Sequence, residues 1–111
     1  MNSITDKAEV SLDFPDKVYM GSFGRESAFD VRVEPEEVLI RIVRNGEQRR
    51  QIAVHLHYYL LAEILEDISE GLAGKVHVDD SHLKALRASA EHLSRTLKAS
   101  ASLGSQKPRD Y

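Results

Sequence analysis

The sequence predicts an α+β fold: an antiparallel β-meander of four or five strands followed by two α-helices packed on one face of the sheet. In the front half of the chain, apolar residues alternate with polar ones, which is the period of a half-buried strand. In the back half, apolar residues recur every three or four positions, which is the period of a helix. Strands that precede helices in this way are typical of the α+β class. We expect a single domain over residues 1–103 and a flexible tail over residues 104–111.

The composition is that of one small folded domain. The chain has 111 residues, of which 41% are hydrophobic, and this supports one modest core. Its longest uninterrupted apolar stretch, 58–62, is far shorter than the roughly 20 residues that cross a bilayer. The chain does not open on a basic head and an apolar run, and it has no cysteine. We therefore expect a cytoplasmic protein with no membrane partner.

The first strands are predicted by alternation and by turn residues. Residues 8–14 alternate apolar and polar side chains, and Pro15 ends the run. A second run, 18–23, is joined by a turn at 24–26 to a third run, 28–33. These segments form the front of the predicted sheet.

Asn45-Gly46 is the clearest hairpin signal, and it lies between predicted strands at 38–43 and 48–56. A two-residue loop would place apolar residues of one strand opposite polar residues of the other. A three-residue loop over 44–46, with Gly46 left-handed, instead collects the apolar residues on one side. We therefore predict the three-residue loop and an inner face of Val38, Ile40, Ile42, Ile52, Val54 and Leu56.

The outer side of the sheet follows by elimination. If 34–37 is a four-residue loop, Phe29, Val31 and Val33 join the inner face. The outer face then carries Asp30, Arg32, Leu39, Arg41, Val43, Arg49, Gln51, Ala53, His55 and His57. We expect Asp30 to pair with Arg41 across the strands, and Leu39 and Val43 to be exposed.

The first helix is predicted to be amphipathic. Its apolar side carries Leu61, Ile64, Leu65, Ile68 and Leu72, and its opposite side carries Glu63, Glu66, Asp67 and Glu70. Gly71 and Gly74 end it. Where the last strand meets this helix, we expect one ring of Tyr58-Tyr59 to enter the core and the other to cap the sheet edge.

The second helix is predicted to begin at Asp79, whose carboxylate can cap free amides, with Val78 and Leu83 as a hydrophobic staple. Further along the helix, apolar residues recur at spacings of three and four. This narrow line is typical of packing against another helix. We call it the leucine seam: Leu86, Ala90, Leu93 and Leu97.

The candidate binding face consists of Arg32, Leu39, Arg41, Val43, Arg49, Gln51, His55 and His57. Its arginines can bind phosphate, and aliphatic side chains beside arginine are typical of a contact surface. The alternative is a solvated face whose charges pair with one another. His55 and His57 share one side of a strand, as a metal-binding pair requires, but the spacing does not supply a third ligand. We predict no metal and no cofactor.

The sequence lacks the common catalytic signatures. It has no Gly-x-Ser-x-Gly elbow, no glycine-rich phosphate loop and no His-Glu-x-x-His helix. We predict that the protein is not an enzyme. A hydrolase or metal-dependent enzyme at the two histidines is the remaining enzymatic interpretation.

One stretch resembles a known family. Residues 38–42, a glycine-containing turn, and residues 52–56 running into a helix have the element order of the single-strand-binding transcriptional coactivators built on four strands and one helix. The resemblance covers about 45 residues and is one of pattern. The family's lysine-rich tract before the last strand is here Glu47-Gln48-Arg49-Arg50, and the second helix is additional. The resemblance implies binding of single-stranded nucleic acid.

Two functions remain as hypotheses. The first is a small non-enzymatic interaction protein that forms a homodimer through the outer face or the leucine seam, its partner being itself or another protein. The alternative is a single-stranded nucleic-acid-binding or transcription-associated protein using Arg32, Arg41, Arg49 and Arg50. We favour the first, because the face offers His55 and His57 as its rings for stacking bases and the net charge is −3.

Overall fold

The computed structural model describes residues 1–74 and 76–106, with side chains described as far as residue 101. It confirms the α+β class, since antiparallel strands are followed along the chain by two helices. Contacts divide the chain into two compact units, Met1–Asp67 and Ile68–Tyr111. The single domain over 1–103 and the placement of both helices on one sheet face stay predictions.

The strands of the first unit form two sheets, and all pairs are antiparallel. In order across the larger sheet lie β1 (Asn2–Ser3), β4 (Ser27–Val33), β5 (Glu37–Arg44) and β6 (Arg50–His57). The smaller sheet is a hairpin of β2 (Ala8–Phe14) and β3 (Lys17–Phe23). Residues 8–14 therefore form a strand, as predicted, but outside the larger sheet. The edge strand β1 is not among the predicted strands.

The residues predicted for the inner face share one side of the larger sheet, but Val31, Val33 and Val54 among them are 49%, 75% and 38% exposed. Ile42 lies opposite Ile52, and Val38 lies opposite Leu56. On the other side of β5, Val33 pairs with Val38, which confirms the predicted register with β4, although Glu37 already belongs to β5 and pairs with His57.

The predicted three-residue loop between β5 and β6 is wrong. The last cross-strand pair before the loop is Arg44 with Arg50, so five residues lie between them. The predicted and observed registers differ by an even number of residues, and an even shift leaves every side chain on the same side. The apolar pattern therefore cannot distinguish the predicted register from the observed one. Gly46 has the expected positive φ, at 132°.

Helix α1 (Tyr58–Ala73) begins directly after β6. The Tyr58 hydroxyl donates a hydrogen bond to the Glu34 carbonyl oxygen at 2.7 Å, and the Tyr59 side chain is almost fully exposed. The expectation that one ring enters the core is therefore wrong. A hydroxyl that donates to a surface loop keeps its ring at the surface.

Helix α2 (Asp80–Gln106) begins directly after Asp79, and capping of its amides by the Asp79 carboxylate stays a prediction. The Leu83 amide donates to the Asp79 carbonyl oxygen at 3.0 Å, and the Ser81 hydroxyl donates to the Asp79 carboxylate at 2.7 Å. Val78 and Leu83 are half-buried between exposed neighbours, which fits the hydrophobic staple. The helix continues through residues 104–106, which the predicted tail includes. The rest of that tail, 107–111, lies outside the described residues.

Few apolar side chains are buried. Among the described residues, the buried hydrophobic ones are Phe23 and Val43, at 3% and 4% exposure. The apolar positions of both helices are largely exposed, including Ile68 and Leu93. Within the described part of the chain, neither helix has the length and hydropathy of a membrane span.

We expect Gly46→Ala to lower the free energy of unfolding by about 1 kcal/mol, because a side chain strains a backbone at positive φ. No atom lies within 4 Å of the added Cβ, so the cost comes from the backbone alone. Gly71→Ala is the control, since Gly71 has no positive φ and an added Cβ there also meets no atom within 4 Å. Urea unfolding at one protein concentration compares them, and equal losses would contradict the argument.

Candidate binding face of the sheet

Cross-strand pairing places most of the predicted binding face on one side of the larger sheet. Arg49 is the exception, because it lies in the loop before β6. Its Nη2 reaches Gln51 Oε1 at 3.5 Å. The residues that share the outer side are Arg32, Leu39, Arg41, Val43, Gln51, His55 and His57.

Val43 is not an exposed aliphatic residue, so that expectation is wrong. Strand β3 contacts β5, and Phe23 at the end of β3 is buried as well. We attribute the burial of Val43 to this contact between the hairpin and the larger sheet. Leu39 is half-buried, so the outer face offers less apolar surface than its sequence suggests.

Asp30 and Arg41 form the predicted cross-strand ion pair. Arg41 Nε donates to Asp30 Oδ1 at 3.2 Å, and Arg41 Nη2 donates to Asp30 Oδ2 at 3.0 Å. These hydrogen bonds, with the charge of Arg41, hold the pKa of Asp30 below its ordinary value, and the same contact raises the pKa of Arg41. The pairing is bidentate, which fixes both side chains against the sheet.

Other arginines of the larger sheet also have acidic neighbours. Arg32 Nε lies 3.9 Å from Glu34 Oε1, and Arg44 Nε lies 3.5 Å from Glu26 Oε1. Binding of nucleic acid depends on cations that neutralise phosphates. Carboxylates beside Arg32 and Arg41 reduce the positive charge that this face can offer.

Glu37 brings the two histidines together. Its Oε1 lies 3.0 Å from His55 Nδ1, and its Oε2 lies 3.5 Å from His57 Nε2. The register places Glu37 directly opposite His57. Glu37 is not among the predicted site residues, because the predicted loop over 34–37 includes it. Its spacing from Leu39 could have identified it, since residues two apart in a strand face the same side.

The cluster lines a shallow depression of about 550 Å³ with Arg32, Glu34 and Leu39. In the part of the chain that the structure describes, no group of three His, Cys, Asp or Glu side chains is placed to hold a metal ion. Glu37 instead accepts a hydrogen bond from His55 and lies near His57. The charges of the binding face are therefore largely satisfied by one another.

Comparison of the chain with protein-family models, with curated proteins and with solved structures finds no match. Its function has to be argued from its own residues.

Asp30→Asn should destabilise the protein near neutral pH and lose this effect in acid. The folded pKa of Asp30 lies below its ordinary value of 3.8, so the ion pair contributes stability above that value. The contribution is lost as the pH falls through the folded pKa. Denaturant unfolding between about pH 2 and pH 7 measures the difference between wild type and variant.

Arg41→Gln supplies the control. In that background, Asp30→Asn removes no ion pair, so its effect should not follow the same pH profile. An identical profile in both backgrounds would assign the pH dependence to other carboxyl groups.

Proposed function

We propose that this protein is a non-enzymatic interaction protein that works as a homodimer, and that the leucine seam of α2 is its self-association surface. The supporting observation is that the leucine side chains of the seam are exposed. Leu86, Leu93 and Leu97 are 53%, 46% and 59% exposed, although they recur at the spacing of a helix–helix interface. A regular apolar line open to water favours a partner that covers it.

The surface around the seam suits a second helix. Ala90, Leu93 and Leu97 line a shallow groove of about 350 Å³ along α2, with Ser94, Ala101 and one cation, Lys98, beside them. Small side chains next to leucines allow a neighbouring helix to approach and its leucines to enter the gaps. The charged residues Lys84, Glu91 and Arg95 fall on the opposite side of the helix.

Helix α1 also carries exposed apolar side chains. Ile64 and Ile68 are 37% and 50% exposed.

The seam is a better candidate than the binding face of the sheet. On that face, Asp30 and Arg41 already pair with each other, and Val43 is buried. Breaking such internal pairs to make new ones contributes little net free energy. Leu86, Leu93 and Leu97 are apolar, so covering them breaks no ion pair.

Leu93→Lys should shift the protein from dimer to monomer. Each dimer loses two buried leucines, each worth about 2 kcal/mol, so the dissociation constant should rise at least roughly 100-fold. Sedimentation equilibrium over micromolar concentrations measures the change. Ala88→Lys is the matched control, because Ala88 lies on the opposite side of α2 and should leave the dimer intact.

Circular dichroism of both variants checks that α2 remains helical. A Leu93→Lys protein that dimerises as tightly as the Ala88→Lys protein would remove the seam from the interface. A wild-type chain that stays monomeric at these concentrations would contradict the proposed function itself.

A further inference from the structure

A second apolar surface lies in the first unit, between the β2–β3 hairpin and the start of β6. This surface, the hairpin groove, has a volume of about 570 Å³. It is lined by mostly apolar residues of the hairpin and by Arg50, Gln51 and Ile52 of β6. Its principal hairpin residues are Val10, Leu12, Phe14 and Tyr19. Its volume falls within the usual range of small-molecule sites, which are mostly apolar with a few placed polar groups.

The hairpin presents one continuous apolar wall to this groove. Leu12 pairs with Tyr19 across the hairpin, and the rings of Phe14 and Tyr19 meet edge to face, 6.1 Å apart. Leu12 and Phe14 are about half-exposed. An isolated two-stranded hairpin has little stability of its own, so a ligand that covers this wall also stabilises the hairpin.

Gly21 keeps the groove open. It lies opposite Val10 on the same side of the hairpin but contributes no side chain. A Cβ at this position would stand 3.5 Å from the Phe23 ring and 3.9 Å from Arg50 Nη1. These are ordinary contact distances, so a larger side chain here would fill space that a ligand would otherwise occupy.

Arg50 is the cation of the groove. Within the described residues, no carboxylate lies within 4.0 Å of its guanidinium, in contrast to Arg32, Arg41 and Arg44. Its Nη2 makes a long contact, 3.5 Å, with Gln48 Oε1. A guanidinium carries five N–H donors and prefers a bidentate carboxylate, so this half-buried group has capacity for an anionic partner.

We propose that the hairpin groove binds a medium-chain monocarboxylate of the fatty-acid class. The alkyl chain lies against Leu12, Phe14 and Tyr19, and the carboxylate pairs with Arg50. A guanidinium beside an apolar wall matches a ligand with one negative charge and an apolar body. Lys17 Nζ, 5.5 Å from the centre of the Tyr19 ring, adds positive charge at the end of that wall.

Helix α1 of a second copy fits the groove less well. Its acidic residues, Glu63, Glu66, Asp67 and Glu70, lie on the side opposite its apolar residues. A docked α1 that turned its apolar side into the groove would point its carboxylates away from it. The proposed ligand satisfies the apolar wall and Arg50 together.

Calorimetric titration of the full-length protein with decanoate and with decanol tests the proposal. Wild type should bind decanoate saturably, one molecule per chain. Arg50→Gln should weaken decanoate binding at least tenfold and leave decanol binding unchanged, since decanol has no charge to lose. Arg25→Gln is the control, because Arg25 does not line the groove; it should bind both ligands as wild type does.

Gly21→Val tests the apolar wall separately. Gly21 has no positive φ, so a β-branched residue fits the strand, and its side chain should fill the groove and abolish binding of both ligands. Ser22→Val, on the other side of the same strand, should leave binding unchanged.

Absence of saturable decanoate binding to wild type would overturn the proposal, as would equal decanoate binding by wild type and Arg50→Gln. Decanoate binding that appears only in the Leu93→Lys monomer would assign the groove to the dimer interface instead. Sedimentation of Arg50→Gln keeps the two ideas apart, because this variant should dimerise as wild type does.

Discussion

The alternation of side chains along β5 is the constraint on which the rest of the sheet depends. This strand pairs with both β4 and β6, so its register fixes the faces of all three. Val38, Ile40 and Ile42 point to one side, while Leu39 and Arg41 point to the other. A shift by one residue would exchange the two sides and separate Arg41 from Asp30. The ion pair and the Glu37 cluster are thus consequences of one choice of register.

Much of this could be predicted from the sequence, because alternation and helical spacing are local properties. They gave the order of strands and helices, the two faces of the sheet, and the pairing of Asp30 with Arg41. What failed depends on long-range contacts or on even shifts of register. The apolar pattern does not determine the length of the β5–β6 loop. The burial of Val43 depends on where the hairpin lies. Glu37 is missing from the predicted binding face because the predicted loop extends one residue into β5.

The distribution of satisfied and unsatisfied groups supports the proposed roles. On the outer face of the sheet, charges are largely paired within the chain, so this face has little left to offer a partner. On α2, the leucine seam has its apolar atoms open to water, and at the hairpin groove no carboxylate of the described residues forms an ion pair with Arg50. These two surfaces differ in chemistry. An apolar line of leucines suits another helix, whereas an apolar wall beside a guanidinium suits a small amphipathic anion.

The proposed homodimer would cover the leucine seam, whose leucines a monomer leaves exposed to water. Light scattering coupled to size-exclusion chromatography tests it most directly, since it reports mass without assuming a shape. At micromolar concentration we predict a mass of twice 12.5 kDa for the wild-type protein. A mass of 12.5 kDa that does not change with concentration would contradict it.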